Sequence, residues 1–407
     1  MTRVKQKFPW FACLLVACSA DDTPVSHGPN VKPDAGADTS ALPDTFVPPD
    51  AISDQATQDV ATDAPSCNAT TVLLAGNASL LWGGSAMGGN AITVATVAGS
   101  AGDRIAIAPN GTGFVATLRS GSGCSGNSCP LIATVFNGSW ADTAAIPNAM
   151  TIDAPALATL GSVSHVLYQD AAFKYEHRKY VASAWDSSDD PVGGAGSNQS
   201  FGAKAPSVAG AGADLVALQA GSDNLIYDQT WANASWAKAH QQANMAAENG
   251  IMPTIITLSG SDLLAVYMRK SDFKIMSTVR TGGTWDTNPT LLDANAFTND
   301  AVAVASIGQG RALLVFRGSN DKVPYFSVYD PKKIPVWTTP SPVLAGKPTI
   351  ASTPSVYAGV CGDEALVAYA KLSGGVELVH FAAGTFTGPV AVSGTAGATY
   401  AAVATKP

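Results

Sequence analysis

The sequence predicts an all-β chain: a seven-bladed β-propeller of four-stranded antiparallel blades, its last blade closed by strands from both termini. Three observations predict it. Short apolar runs separated by Gly, Ser, Asp and Asn turns recur through residues 67–407. The recurrences end on Trp140, Trp185, Trp236, Trp285, Trp337 and Phe386, at spacings of 45, 51, 49, 52 and 49 residues. A period of ~40–50 residues per four-stranded unit is that of a propeller blade. The second run of each unit is almost continuously apolar, as in Phe114–Leu118, Leu215–Leu218, Leu263–Tyr267, Ala312–Phe316 and Ala365–Tyr369. Unbroken apolar runs mean burial on both faces, which stacked blades require and a two-sheet sandwich does not.

The chain begins with Arg3, Lys5 and Lys7 and no acid, followed by an apolar run over residues 8–17. That order reads as an export signal over residues 1–17. The run is too short for a membrane-spanning helix, which needs ~20 apolar residues. Leu15-Val16-Ala17-Cys18 resembles the lipobox of bacterial lipoproteins. The resemblance implies cleavage before Cys18 and a membrane anchor through lipid on that cysteine. Ser19, rather than Asp, follows it, which by the familiar Gram-negative sorting rule implies an outer-membrane address. The expected location is therefore the cell envelope, on the periplasmic or surface side.

Residues 18–66 read as a tether. From residue 19 onward they hold seven prolines, nine aspartates and one lysine, with no Trp or Tyr. Such a composition buries too little apolar surface to offset the entropy of ordering it, and like charges extend it. The acidity of the chain resides here. The whole sequence has 23 basic and 31 acidic residues, of which 19 and 22 fall in residues 67–407. A nearly neutral globular part lacks the basic footprint of nucleic-acid binding.

Within the repeat, units begin near Asp103, Asp153, Lys204, Met252, Asp300 and Thr353. Each runs through a short strand, a Gly turn, the apolar strand, a polar turn, a longer strand, and a second turn before its aromatic. Residues 103–393 hold six units, and residues 67–102 and 394–407 together supply the length of a seventh. The strand around Thr399–Thr405 reads as the opening strand of that composite blade, a closure that protects sheet edges. The alternative is six blades with an N-terminal appendage. Trp236–Asn249 has a composition suited to a short helix.

Six cysteines are present. Cys13 leaves with the signal and Cys18 takes lipid. The remaining Cys67, Cys124, Cys129 and Cys361 are expected to pair in an exported protein. Cys124 and Cys129 flank a turn, so a hairpin bridge between them is expected, with Cys67 joined to Cys361. Their spacing, without a histidine cluster, does not match a zinc site, and neither a metal nor a cofactor is expected.

Two propeller families resemble parts of the repeat. Thr278–Trp285 (TVRTGGTW) resembles the Asp-box of sialidases, with Arg280 in place of its Asp. Gly221-Ser222-Asp223-Asn224 and Gly318-Ser319-Asn320-Asp321 resemble a turn of bacterial seven-bladed sugar-binding lectins. Both resemblances imply a propeller. The sialidase chemistry finds little support, because Asp103-Arg104-Ile105-Ala106 lacks the Phe and Pro of that family's signature. The globular part also holds four glutamates, Glu176, Glu248, Glu364 and Glu377. No nucleophile elbow, phosphate loop or metal-ligand spacing is present, so no catalytic residue is assigned.

One recurring feature points to binding. A long polar side chain closes the second strand of each unit: Arg119, Gln169, Gln219, Arg269, Arg317 and Lys371. A ring of planar donors at these ends would suit sugar hydroxyls or a carboxylate, with Tyr227 and Tyr267 offering stacking surface. The other reading is strand ends reaching water past an aromatic core. Phe173–Tyr180 (FKYEHRKY) stands out as a charged strand, suited to an exposed edge or a partner contact, and Asp186–Asp190 (DSSDD) as a solvated loop or cation site. The function expected is a membrane-anchored binding module for a glycan or envelope polymer. The alternatives are a protein-interaction scaffold, with protein partners, or a degenerate glycosidase.

Overall fold

The chain divides into two units, Met1–Val60 and Ala61–Pro407. The computed structural model describes residues of the second: 69–87, 90–192, 204–248, 251–358 and 363–406. These residues contain strands and no helix. Cys67 and Cys361 lie outside the described residues, as do the expected signal and tether.

Seven antiparallel sheets are present, one per blade. Blade 1 comprises Ala101–Asn110, Gly113–Ser120, Cys129–Phe136 and Ala144–Thr151, in that order from the axis outward. The inner strands of blades 2 to 6 are Ala156–Leu160, Ser207–Ala211, Thr254–Ser259, Ala303–Ser306 and Ser355–Ala358. Blade 7 takes Thr70–Gly76, Leu81–Met87 and Thr93–Val97 from one end of the chain and its inner strand, Tyr400–Lys406, from the other. Thr70 pairs with Lys406 and Gly76 with Tyr400, so the ring closes by backbone hydrogen bonds between segments more than 300 residues apart. Each inner strand touches the next around the whole ring. The six-bladed alternative is thereby replaced by seven blades.

The second strands carry the core. Val115, Ala116 and Leu118, Leu215 to Leu218, Leu263 to Val266, and Ala312 to Val315 have no exposed surface or nearly none. A fully buried side chain of this kind contributes ~1.5–3 kcal/mol. The closing aromatics join one blade to the one before it. Trp285 Nε1 donates to Asp228 Oδ2 of blade 3 at 3.1 Å. Trp337 Nε1 donates to Ser277 Oγ of blade 4 at 2.8 Å. Trp140 Nε1 donates to the Leu73 carbonyl of blade 7 at 3.1 Å. Phe386 packs edge-on against Phe326 of blade 5, ring centres 4.9 Å apart. Trp236 stands perpendicular to His177 of blade 2 at 5.5 Å.

Two sequence expectations are corrected. The segment expected to be helical is not so over its described residues, 236–248: Ser235–Trp236 and His240–Ala246 pair with the third strand of blade 3, Leu225–Ala232. Pairing to an open sheet edge overrides the helix propensity of Ala, Gln and Met. The charged Tyr175–Val181 strand is not an exposed edge. It is the third strand of blade 2, with Tyr175, His177 and Arg178 buried. The Asp186–Asp190 loop folds over it, placing Asp189 2.5 Å from Arg178 Nε and Asp190 3.4 Å from His177 Nδ1. Asp189 and Asp190 are thus engaged by these buried side chains. The Cys124–Cys129 disulfide is formed.

Candidate functional site

Because the second strand of a blade runs antiparallel to the inner one, its end lies beside the inner strand's start, as Ser120 beside Ala101 and Val266 beside Thr254. One face of the ring therefore gathers the second-strand ends, the turns that follow them, and the first residues of the inner strands. The six donors predicted from sequence all lie on this face, but they do not converge. Arg119 Nη2 donates to the Asn127 carbonyl of its own turn at 2.9 Å. Arg269 grips Asp272 with two bonds, 2.9 and 2.6 Å, and this holds the Asp272 carboxyl down at about 2. Lys371 lies 2.8 Å from Glu377. Arg317 Nε donates to Asp300 at 2.6 Å. Gln169 and Gln219 are fully buried, and the Gln219 amide has no hydrogen-bond partner among the described residues. Tyr267 is 2% exposed, so it offers no stacking surface and belongs to the core.

Tyr227 leads to a better site. In the Gly221–Tyr227 turn its hydroxyl donates to Asp223 Oδ2 at 2.7 Å. Gln241, its partner in the outer strand, donates its amide to both Asp223 and Tyr227, at 2.9 and 2.8 Å. Blade 5 repeats the turn: Tyr325 donates to Asp321 Oδ2, again at 2.7 Å and again across four residues. Glycines open both turns because a Cβ at Gly221 or Gly318 would fall 2.4 or 2.3 Å from the aspartate oxygen. In blade 5, however, the outer-strand partner of Tyr325 is Pro342, which has no amide to give. The Asp321–Tyr325 pair faces instead a groove of about 440 Å³ between blades 4 and 5.

That groove has the parts of a small polar-ligand site. Asn295 and Asn320 supply amides, and Asp321 a carboxylate. Phe297 on the blade 4 side is 36% exposed, and Phe316 stacks on Tyr325 at 5.7 Å with 22° between the rings. The hydrogen bond to Asp321 raises the Tyr325 pKa, so the phenol keeps its proton at neutral pH. Aromatic surface beside convergent hydrogen-bonding groups is the usual make-up of a specific pocket.

A second concavity lies on the axis of the same face. It measures about 280 Å³, and every blade contributes to its wall. Asp103 and Arg104 come from blade 1, Asp153 from blade 2, Lys204 from blade 3, Met252 from blade 4 and Tyr400 from blade 7. These residues stand where the repeat units begin. Burial, reinforced by Asp103 and opposed by Lys204, raises the Asp153 carboxyl to about 6. Among the described residues, no group of three or more His, Cys, Asp or Glu is arranged to hold a metal ion.

No family model matches the chain, and no curated protein does. Solved structures do. AofleA from Arthrobotrys oligospora is similar at 11% identity and TM-score 0.53, covering 74% of this chain and 88% of its own. The lectin SapL1, in complex with alpha methyl fucoside, is similar at 13% identity and TM-score 0.50, covering 72% and 95%. The Hadza microbial sialidase Hz136 is similar at 9% identity and TM-score 0.46, covering 71% and 70%. At these identities the likeness is one of fold.

Proposed function

We propose that the protein is a glycan-binding propeller anchored in the bacterial cell envelope, and that the groove between blades 4 and 5 holds a sugar unit. The observation that carries this reading is the Asp321–Tyr325 pair. Its twin in blade 3 accepts two hydrogen bonds from an amide within the chain, and in blade 5 the same acceptors face the groove. A ligand entering there must bring N–H or O–H donors and a face able to lie on Phe297. A pyranose or an N-acetylated pyranose has both. The lectin SapL1, of similar fold, binds alpha methyl fucoside, which supports a sugar over a peptide. The lipobox-like sequence ending at Cys18 and the acidic, proline-rich stretch after it support presentation on a tether.

The test is a glycan-array screen of the purified protein beside Asp321→Asn and Tyr325→Phe. The Asp321→Asn side chain would keep an oxygen to accept from the Val323 amide of the turn while removing the charge offered to the ligand. Saturable binding that both variants weaken supports the reading. A blank array from folded protein, or binding that both variants leave intact, removes it.

A further inference from the structure

Arg104 crosses the axis of the propeller. It sits on the inner strand of blade 1, and its Nη2 donates to Met252 Sδ of blade 4, on the far side of the ring, at 2.8 Å. Among the described residues it makes no ion pair. A thioether is a weak acceptor, whereas a guanidinium carries five donors in a fork shaped for a carboxylate. Most of the binding capacity of this arginine is thus unspent, in a cavity that the carboxylates of Asp103 and Asp153 also line. Asp103 and Asp153 on its wall interact closely, and Lys204 lies 4.0 Å from Asp153. The phenol of Tyr400, on the inner strand of blade 7 next to blade 1, also lines the cavity.

We propose that the axial cavity is a second ligand site, separate from the groove, and that it takes a small hydroxy acid such as a uronic acid. The ligand carboxylate would replace Met252 as the partner of Arg104, in the two-bond fork such pairs favour. Its hydroxyls would donate to Asp103 and Asp153. A second carboxylate on the ligand would meet those two aspartates and be repelled, which selects hydroxyl groups at that end. A neutral sugar would leave Arg104 unanswered, and an amine would meet it as a like charge. About 280 Å³ has room for one sugar ring.

The experiment is calorimetric titration of the protein with D-glucuronate and, separately, with D-glucose, which lacks the C6 carboxylate. Wild type, Arg104→Gln, Met252→Leu and Asp321→Asn are compared, each checked for an unchanged melting transition. The expected result is saturable binding of glucuronate, with glucose at least tenfold weaker. Arg104→Gln should weaken glucuronate binding at least tenfold, and Asp321→Asn should leave it within twofold. Met252→Leu, which keeps the apolar wall and frees the guanidinium, should bind as well as wild type or better. Equal binding of the two sugars by Asp321→Asn, in which the groove is weakened, no binding of glucuronate, or indifference to Arg104→Gln overturns the proposal. The groove is tested independently, because Asp321→Asn reports on it while Arg104→Gln does not.

Discussion

The indole N–H of Trp285 in blade 4 donates to the carboxylate of Asp228 in blade 3, 3.1 Å away, where both side chains are buried. Trp236, one blade earlier, occupies the same place in its unit and its ring stands perpendicular to that of His177, yet its indole N–H has no hydrogen-bond partner among the described residues. Two equivalent joints therefore differ by one hydrogen bond. Trp285→Phe removes the donor and leaves Asp228 under-satisfied, which costs about 1–3 kcal/mol. Trp236→Phe loses only packing and should cost clearly less. Denaturant unfolding of the two variants checks this, and equal losses would show that the hydrogen bond is not what joins the blades.

The junction of blades 7 and 1 is tightest at Gly83. A Cβ there would stand 2.3 Å from Trp140 Cδ1 and 2.7 Å from Cγ. The ring is rigid and already donates to the Leu73 carbonyl, so it cannot simply turn away. Gly83→Ala should destabilise by about 1–3 kcal/mol, the usual cost of overpacking. Gly346→Ala is the control, since its Cβ would meet nothing within 4 Å. Thermal unfolding of the pair should show a fall for the first alone.

Blade 2 predicts an acid sensitivity. His165 and His177 are buried with Nδ1 and Nε2 2.9 Å apart. Burial, then the charges of His177 and Lys179, hold His165 at about 3 against 6.5 for the free residue. Between those values the unfolded chain binds a proton that the folded chain does not. The stability His165 confers is therefore full above pH 6.5 and is lost as pH falls toward 3. Asp153, raised to about 6, and Glu176, raised by burial and neighbouring carboxylates to about 7, act in the opposite direction, their stability growing as pH falls. The His165 share is isolated by comparison with His165→Gln. On acidification from about pH 7 to about pH 5 the wild type should lose roughly 2 kcal/mol relative to the variant, at about 1.4 kcal/mol per unit. Parallel pH profiles of the two proteins would refute it.

Much of the architecture was legible in the sequence, because ring closure repeats one demand at a fixed period. The closing aromatics recur where each blade must join the last, and the Thr399–Thr405 strand resembles the opening strand of the other units. The sites were less legible. Arg269, Arg317 and Lys371 recur at strand ends, but Asp272, Asp300 and Glu377 hold them, and only the folded turns reveal those partners. Tyr267 and Tyr325 look alike in one dimension. The first is on a second strand enclosed between sheets, and the second on a third strand at a groove. The axial residues Asp103, Asp153, Lys204 and Met252 were visible as the starts of repeat units. Their types differ from unit to unit, and their convergence exists only once residues roughly 50 apart, the length of one repeat, are brought round one axis. Gln241 and Pro342 carried a signal that could have been read, since they follow equivalent turns in units whose Gly-Ser openings already match.

That pair gives the most direct test of the central claim, that the Asp321–Tyr325 acceptors receive a ligand's donors. In blade 3 Gln241 fills the equivalent acceptors from within. Pro342→Gln would place the same side chain opposite Tyr325, on an outer strand of only two residues where replacing proline restores an N–H. The measurement is the affinity of wild type and Pro342→Gln for a glycan bound on the array, with free sugar as competitor. The account predicts competable binding by the wild type and a loss of at least tenfold in Pro342→Gln, with the melting transition unchanged. A folded Pro342→Gln protein that binds as tightly as the wild type would contradict it.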